Sequence, residues 1–329
     1  MESVTTRPAD QASPFRLLAL SGGGFLGLYT AHVLAGLEER AGEPFGRRFD
    51  LLAGTSIGAI LALGLAFEIP MARIVGLFVE RGGAVFSEHD LPAGAVRRLL
   101  DLTRSVLGPK YSGAALRTLL EEQFGDARLG EAVHPVIVPA VDVQRSRTKI
   151  FKSPRRGRAE RDSDCRVVDV AMAACAAPAY FPSVAIGGRL YADGGLFAVA
   201  PDQLAMHEAE HFRGVALARM RMLSIGTAAA QYRPAQAIEP DAGAVGWLSD
   251  GRLLLTLISA QQQHVCAMME DRLDDRFLRL DAAWDPSAGL GIDVATPQAC
   301  NHLLTAARST LEGLRRGRID RLLDDSSGA

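Results

Sequence analysis

The chain has 329 residues, 48% of them hydrophobic and 22% charged, with a formal net charge of −2, enough apolar content for a large core and too little net charge to attract nucleic acid or any other polyion. Apolar runs stay well short of the roughly 20 residues that span a bilayer, and the longest clear one, Ile57 to Phe67, is broken by glycines and reads as a buried helix. The four cysteines, Cys165, Cys175, Cys266 and Cys300, are too irregularly spaced for a zinc site or a disulfide framework and read as inert thiols.

In chain order, Met1 to Pro14 is polar and lacks the basic start and apolar centre of a signal peptide, so it reads as a disordered segment and implies a cytoplasmic protein. Phe15 to Leu20 is a short buried strand. The Ser21 to Gly27 loop follows it, with Gly22, Gly23 and Gly24 in a row and Gly27 at its end, and opens onto a helix from Leu28 to Arg40. Glycines leave backbone N–H groups unshielded, and at a helix N-terminus such groups can be aimed at a developing oxyanion, a contribution of about 3–4 kcal/mol per donor. A second strand, Phe49 to Ala53, runs into Gly54-Thr55-Ser56-Ile57-Gly58 and then into the Ile57 helix. A serine in such a turn is held in strained backbone, its hydroxyl clear of the sheet and at the positive end of the helix. That geometry makes a nucleophile of Ser56.

Further along, Arg81-Gly82-Gly83 beside Val85 and Phe86 reads as the hinge of a lid over residues 78–91. Residues 145–166 are rich in Arg and Lys around a strand at Thr148 to Lys152. They read either as a solvated hairpin or as a surface for phosphate, on a lipid or on a nucleotide, each cation near a membrane adding about 1 kcal/mol. Tyr191-Ala192-Asp193-Gly194-Gly195 follows a strand ending near Leu190 and precedes a helix from about Pro201. A carboxylate there, flanked by Gly194 and Gly195, can approach the serine directly and act as its base without an imidazole. The last third reads as helices without chemistry: an apolar face from Val245 to Leu273, a strand at Arg276 to Leu280, and a terminal helix from Thr296 to Leu323, available for covering the sheet or for self-association. Strands and helices alternate throughout, which predicts a mostly parallel sheet covered on both faces.

Three other readings compete. Gly22-x-Gly24-x-x-Gly27 after a strand fits a dinucleotide-binding loop, but the second strand carries no acid at its end to meet a ribose. His207-Glu208-Ala209-Glu210-His211 matches the H-E-x-x-H zinc pattern, but Leu217 stands where the third ligand of the extended motif belongs, so it reads as a charged, solvated helix face. A Ser-His-Asp triad is allowed by chain order through His207, His211, His264 or His302, yet all four sit in helical patterns.

The Gly-rich loop, the G-x-S-x-G turn and the Asp-Gly-Gly motif, in that order, resemble the patatin-like phospholipases, and Ala171 to Phe181 (AMAACAAPAYF) is similar to the family's small-residue helix and turn before its aspartate strand. The resemblance covers roughly residues 15–215. It implies a three-layer α/β/α sandwich forming one catalytic domain over residues 15–329, with residues 245–329 a mainly helical extension. It also implies Ser56 as nucleophile, Asp193 as its base, and the Gly22, Gly23 and Gly24 amides as the oxyanion hole. No metal or cofactor is called for. Ser21 departs from the aspartate that many members carry. FRLLALSGGG, FDLLAGTSIGAILALGLA and VFSEHD further resemble bacterial anti-phage effectors of this family, which degrade membrane phospholipid when a cyclic nucleotide binds. That likeness implies a cyclic di- or trinucleotide activator, contact with the inner face of the cell membrane, and oligomerisation as part of the switch; a constitutive lipase or a non-catalytic binding protein are the alternatives.

Overall fold

The computed structural model describes residues 13–87, 108–154, 161–229, 252–285, 288–314 and 316–323, with isolated residues between 232 and 247. The N-terminal segment up to residue 12, the far half of the expected lid (88–91) and part of the basic stretch (155–160) lie outside the described residues.

Four apolar runs, β1 (Phe15–Leu20), β2 (Leu51–Gly54), β3 (Val136–Asp142) and β7 (Met220–Ile225), line up in parallel with β8 (Phe277–Leu280) in the order β3-β2-β1-β7-β8. Strand β4 (Arg147–Lys152) pairs antiparallel with β3, and so does β6 (Arg189–Asp193), which is joined to β5 (Val184–Ile186) by a Gly187-Gly188 turn with positive φ at both residues. Alternation sends successive side chains to opposite faces. Leu18, Leu20 and Leu52 enter one core, and Leu17, Ala19, Leu51 and Ala53 enter another, so the sheet is the middle of three layers.

Helices α1 (Gly27–Ala41), α2 (Ile57–Ala66), α3 (Met71–Val85), α4 (Ala114–Phe124) and α5 (Val167–Ala174) cover the first face with α8 (Pro297–Gly313), while α6 (Asp202–His207) packs on the second. Helix α7 (Arg252–Leu273) serves both cores, through Leu255 and Ile258 on one side and Val265, Met269 and Leu273 on the other. The terminal helix is in fact two, α8 and α9 (Arg316–Leu323). Thr296 caps α8 by accepting from the Ala299 N–H at 3.2 Å, ahead of Pro297 in the first turn.

Registers place the two ends that matter. Ile137 pairs with both Lys152 of β4 and Ala53 of β2, and Ala140 pairs with both Lys149 of β4 and Asp193 of β6. With β4 on one side of β3 throughout, β2 and β6 share the other side and run toward each other. Their carboxyl ends meet beside Val138 and Pro139, and Pro139, which has no N–H to donate, stands where the edge of β3 lacks a neighbouring strand.

Several expectations are corrected here. Gly82 and Gly83 lie inside α3, and a Cβ on Gly82 would meet the Phe25 ring at 2.7 Å, so the two sit in a continuous helix rather than a hinge and Gly82 serves close packing. The strand before Asp193 runs through Asp193 itself instead of ending near Leu190. The described residues after 245 are mainly helical, as expected, and join the fold through β8, a strand of the central sheet, and α7, which serves both cores.

Candidate active site

Ser56 caps α2 with φ 53° and ψ −124°, a conformation that costs a non-glycine residue of order 1–3 kcal/mol. The surrounding glycines impose it. A Cβ on Gly54 would stand 2.1 Å from the Gly58 carbonyl oxygen, and one on Gly58 would stand 2.3 Å from that of Leu20. Thr55 pins the turn from both ends, its N–H donating to Leu20 at 3.1 Å and its hydroxyl to the Ala198 carbonyl at 2.7 Å.

Asp193, 4% exposed, arrives at the end of β6 from the opposite direction. Its backbone N–H donates to the Ala176 carbonyl at 3.0 Å, which ties it to the turn after α5, and its Oδ1 accepts the Gly195 N–H at 2.7 Å. The Ser56 side chain lies near enough to pull the carboxyl's pKa down, and both line the same cavity. Burial pushes the Asp193 carboxyl up to about 6, against the smaller opposing pulls of Ser56 and the Gly195 hydrogen bond. Gly194 is fixed by the β3 carbonyl of Pro139, 2.4 Å from where its Cβ would be, whereas a Cβ on Gly195 would meet nothing nearer than Asp193 Oδ1 at 3.1 Å.

The glycine loop is sewn into its surroundings. Ser21 donates its N–H to Ile225 at 3.0 Å, Gly22 to Val199 at 2.9 Å and Phe25 to Ile292 at 2.7 Å. The Gly22 N–H is therefore already engaged, which removes it from the expected set of oxyanion donors; Gly23 and Gly24 keep N–H groups without an acceptor among the described residues. Gly24 has φ 59°, and a Cβ on it would lie 2.0 Å from the Ile292 carbonyl oxygen. A Cβ on Gly23 would meet Thr227 Oγ1 at 2.5 Å, and one on Gly27 would meet Ile57 at 2.5 Å, which seats the start of α1 on the start of α2. Close packing against Ile292, Thr227 and Ile57 accounts for these glycines without a bound dinucleotide.

Beneath the loop lies a cation that the sequence did not reveal. Arg279 of β8 donates to Ser21 Oγ at 3.0 Å, Ser224 Oγ at 2.8 Å, Gln262 Oε1 at 2.7 Å and Asp281 Oδ2 at 2.7 Å. Burial works against its charge, and Asp281, with Cys266 and Asp202, more than restores it, so the guanidinium stays protonated and orders Ser21. The neighbouring Gln261 accepts the Val199 N–H at 3.1 Å, so adjacent glutamines on α7 brace the base loop and the glycine loop.

Ser56 and Asp193 open into a cavity of about 510 Å³ whose apolar walls include Ile60, Ile74, Leu120, Phe124, Leu254 and Ile258. Among the described residues no histidine lines it. Cys175 does; burial first, and then the Asp193 charge, push its thiol well up against a smaller pull from Ser56, so it stands near the serine as a neutral group. At one rim Asp293 accepts from Lys110 Nζ and from the Tyr111 hydroxyl, each at 2.8 Å.

The zinc pattern dissolves on inspection. His207 ends α6, the His207 and His211 rings stack with centroids 5.2 Å apart over a π-turn, and Glu208 is not solvated but buried in an ion pair with Lys152. Among the described residues no cluster of His, Cys, Asp and Glu is disposed to hold a metal. Much of the basic stretch is likewise paired internally, Lys149 with Asp162, Arg145 with Asp142 and Arg166 with Asp126.

Comparison with known proteins places the chain in a family. A protein of Pseudomonas aeruginosa (strain BWHPSA011 / Pa011) named "cGAMP-activated phospholipase" is 37% identical over 312 residues, covering 94% of this chain and 90% of its own length. Proteins of the same name from Vibrio cholerae and Escherichia coli are 29% and 30% identical, covering 89% and 75% of this chain and 89% and 72% of their own. The family model described as patatin-like phospholipase matches residues 18–206, from the first strand through the Gly-rich loop, the Ser56 turn and the Asp193 strand end, and the chain belongs to that family.

Proposed function

We propose that this protein hydrolyses the acyl esters of membrane phospholipid by a Ser56–Asp193 dyad, and that a cyclic nucleotide switches it on. The observation that carries the reading is the strained Ser56 beside a buried carboxylate, both lining an apolar cavity. Asp193 takes the hydroxyl proton as Oγ attacks the ester carbonyl. The oxyanion forms toward the Gly23 and Gly24 N–H groups, donors that need not be reorganised at the moment of reaction. Collapse of the tetrahedral intermediate expels the lysolipid alkoxide, which recovers the proton from Asp193. Water, deprotonated by the same carboxylate, then frees the fatty acid. A base whose pKa is raised toward 6 is better matched to neutral pH than an ordinary aspartate. The apolar cavity suits one acyl chain and offers a charged headgroup nothing but its mouth.

The gating half rests on the relatives named for activation by cGAMP, one of which matches nearly the whole chain. On this reading the protein works from the cytoplasm, peripheral to the inner face of the membrane, and self-association can accompany the switch. Mass spectrometry of phospholipid vesicles incubated with wild-type and Ser56→Ala protein, each with and without a panel of cyclic di- and trinucleotides, tests both halves. The expected result is serine-dependent fatty-acid release with one nucleotide only. Release without any nucleotide would establish a constitutive lipase, and no release in any condition would overturn the hydrolase reading.

A further inference from the structure

Two hairpin tips come together on the side of the sheet toward which Ser56 faces. The β3–β4 tip (residues 143–146) and the β5–β6 tip (187–188) are joined by the Val143 N–H donating to the Leu190 carbonyl at 3.0 Å, and β3 runs parallel to β2, at whose carboxyl end Ser56 stands. Single exposed apolar residues are ordinary on a soluble surface. Here they gather: of the eight large apolar side chains exposed among the described residues, Val143, Leu190 and Leu196 stand at these tips and Leu257 at the cavity mouth. Leu196, 53% exposed and three residues past Asp193, belongs both to that mouth and to a shallow depression shared with Val143, Arg147 and Phe197.

The charge around this patch has one sign. Arg145, Arg147 and Arg189 are exposed, and the only carboxylates in segments 142–149 and 186–197 are Asp142 and Asp193, both buried. Arg145 is paired with Asp142, but Arg147 and Arg189 have no ionic partner among the described residues. Apolar side chains ringed by unpaired arginines, running without a break into the mouth of the acyl cavity, complement an anionic bilayer surface: the cations meet headgroup phosphate while the leucines enter the acyl boundary.

We infer that the paired hairpin tips, with Leu196 as the link to the active-site mouth, are the surface by which the enzyme docks on anionic phospholipid bilayers. The inference rests on the lipid-hydrolase reading for its purpose but not for its test, because binding is read on protein that cannot turn over. Ser56→Ala protein, with and without Arg147→Gln plus Arg189→Gln, is floated with vesicles of phosphatidylcholine alone and of phosphatidylcholine mixed with phosphatidylglycerol. At about 5-fold per arginine the pair should weaken partitioning onto the mixed vesicles roughly 25-fold at low salt and leave the weak binding to neutral vesicles unchanged. With Ser56 intact, and the activating nucleotide present if one is needed, the double variant should hydrolyse a short-chain ester dissolved as monomers at the wild-type rate while losing activity on mixed vesicles. Unchanged binding to mixed vesicles would overturn the docking surface. So would loss of the soluble-ester activity, loss of cyclic-dinucleotide binding, or a changed oligomeric mass in the double variant, which would assign the arginines to the site, to the nucleotide or to a second copy of the chain.

Discussion

Asp193 is where pH acts on this protein, and it acts twice. As a base it must be ionised, so turnover should fall as pH drops through about 6, higher than an unperturbed aspartate would give. As a buried carboxyl whose folded pKa lies above its ordinary value of 3.8, it favours the native state while protonated in it. That contribution is complete below about pH 4 and is lost as pH rises through 6, leaving the native state at neutral pH penalised by about 3 kcal/mol relative to a neutral side chain. Asp193→Asn should therefore abolish turnover and yet raise the melting temperature at pH 8, with the gain shrinking to nothing by pH 4. Thermal unfolding of both proteins across that range checks it; equal stability at pH 8 would mean the carboxyl is not desolvated. Ser56 holds the complementary strain, and both are the kind of stability sacrificed for function that substitution returns.

At the scale of loops and helices, the glycines sort by what stands where a side chain would go. Gly24→Ala drives a methyl into the Ile292 carbonyl at positive φ and should cost both fold stability and activity, whereas Gly195→Ala, with no positive φ, meets a side-chain oxygen, Asp193 Oδ1, at a tight 3.1 Å and should lose less of both. Measured rates and melting curves of the two variants test this, and a Gly24→Ala protein as active as Gly195→Ala would refute the account. The motifs themselves were legible because each is local: strand, turn and helix follow within a dozen residues, and small residues announce a close approach. What closes the site was not legible. The Thr55 bond to Ala198 spans 143 residues and the Arg279 bond to Ser21 spans 258, so nothing near Ser21 announced its cation. Gly22 looked like an oxyanion donor because its sequence neighbours gave no sign of Val199. Glu208 looked solvated because Lys152, its ion-pair partner, lies on β4, far away in the sequence. The Arg81-Gly82-Gly83 hinge failed for the same reason, the ring of Phe25 being out of sight in the sequence.

For the molecule as a whole, the parallel alternation and three layers followed from strand and helix periods, but the weight of the last third did not. Its apolar helix seemed mere packing; it is a wall of the cavity and the brace of two loops, while β8 extends the sheet and supplies Arg279. A chain ending at residue 244 loses a sheet strand and part of both cores, and should be recovered unfolded or aggregated instead of as a smaller lipase; circular dichroism and size-exclusion chromatography of that truncation decide the matter. The meeting of β2 and β6 along one side of β3 reaches further. Ser56 and Asp193 stand on the two lips of a seam, and their spacing is set by how each strand is aligned with a third. Strand side chains alternate, so sliding β6 by a single residue along β3 would turn the carboxylate to the opposite layer while leaving a compact, well-paired sheet. Catalysis in such an architecture audits the alignment of the chain: a molecule that has collapsed correctly but threaded β6 one step out is silent, and only the right register speaks.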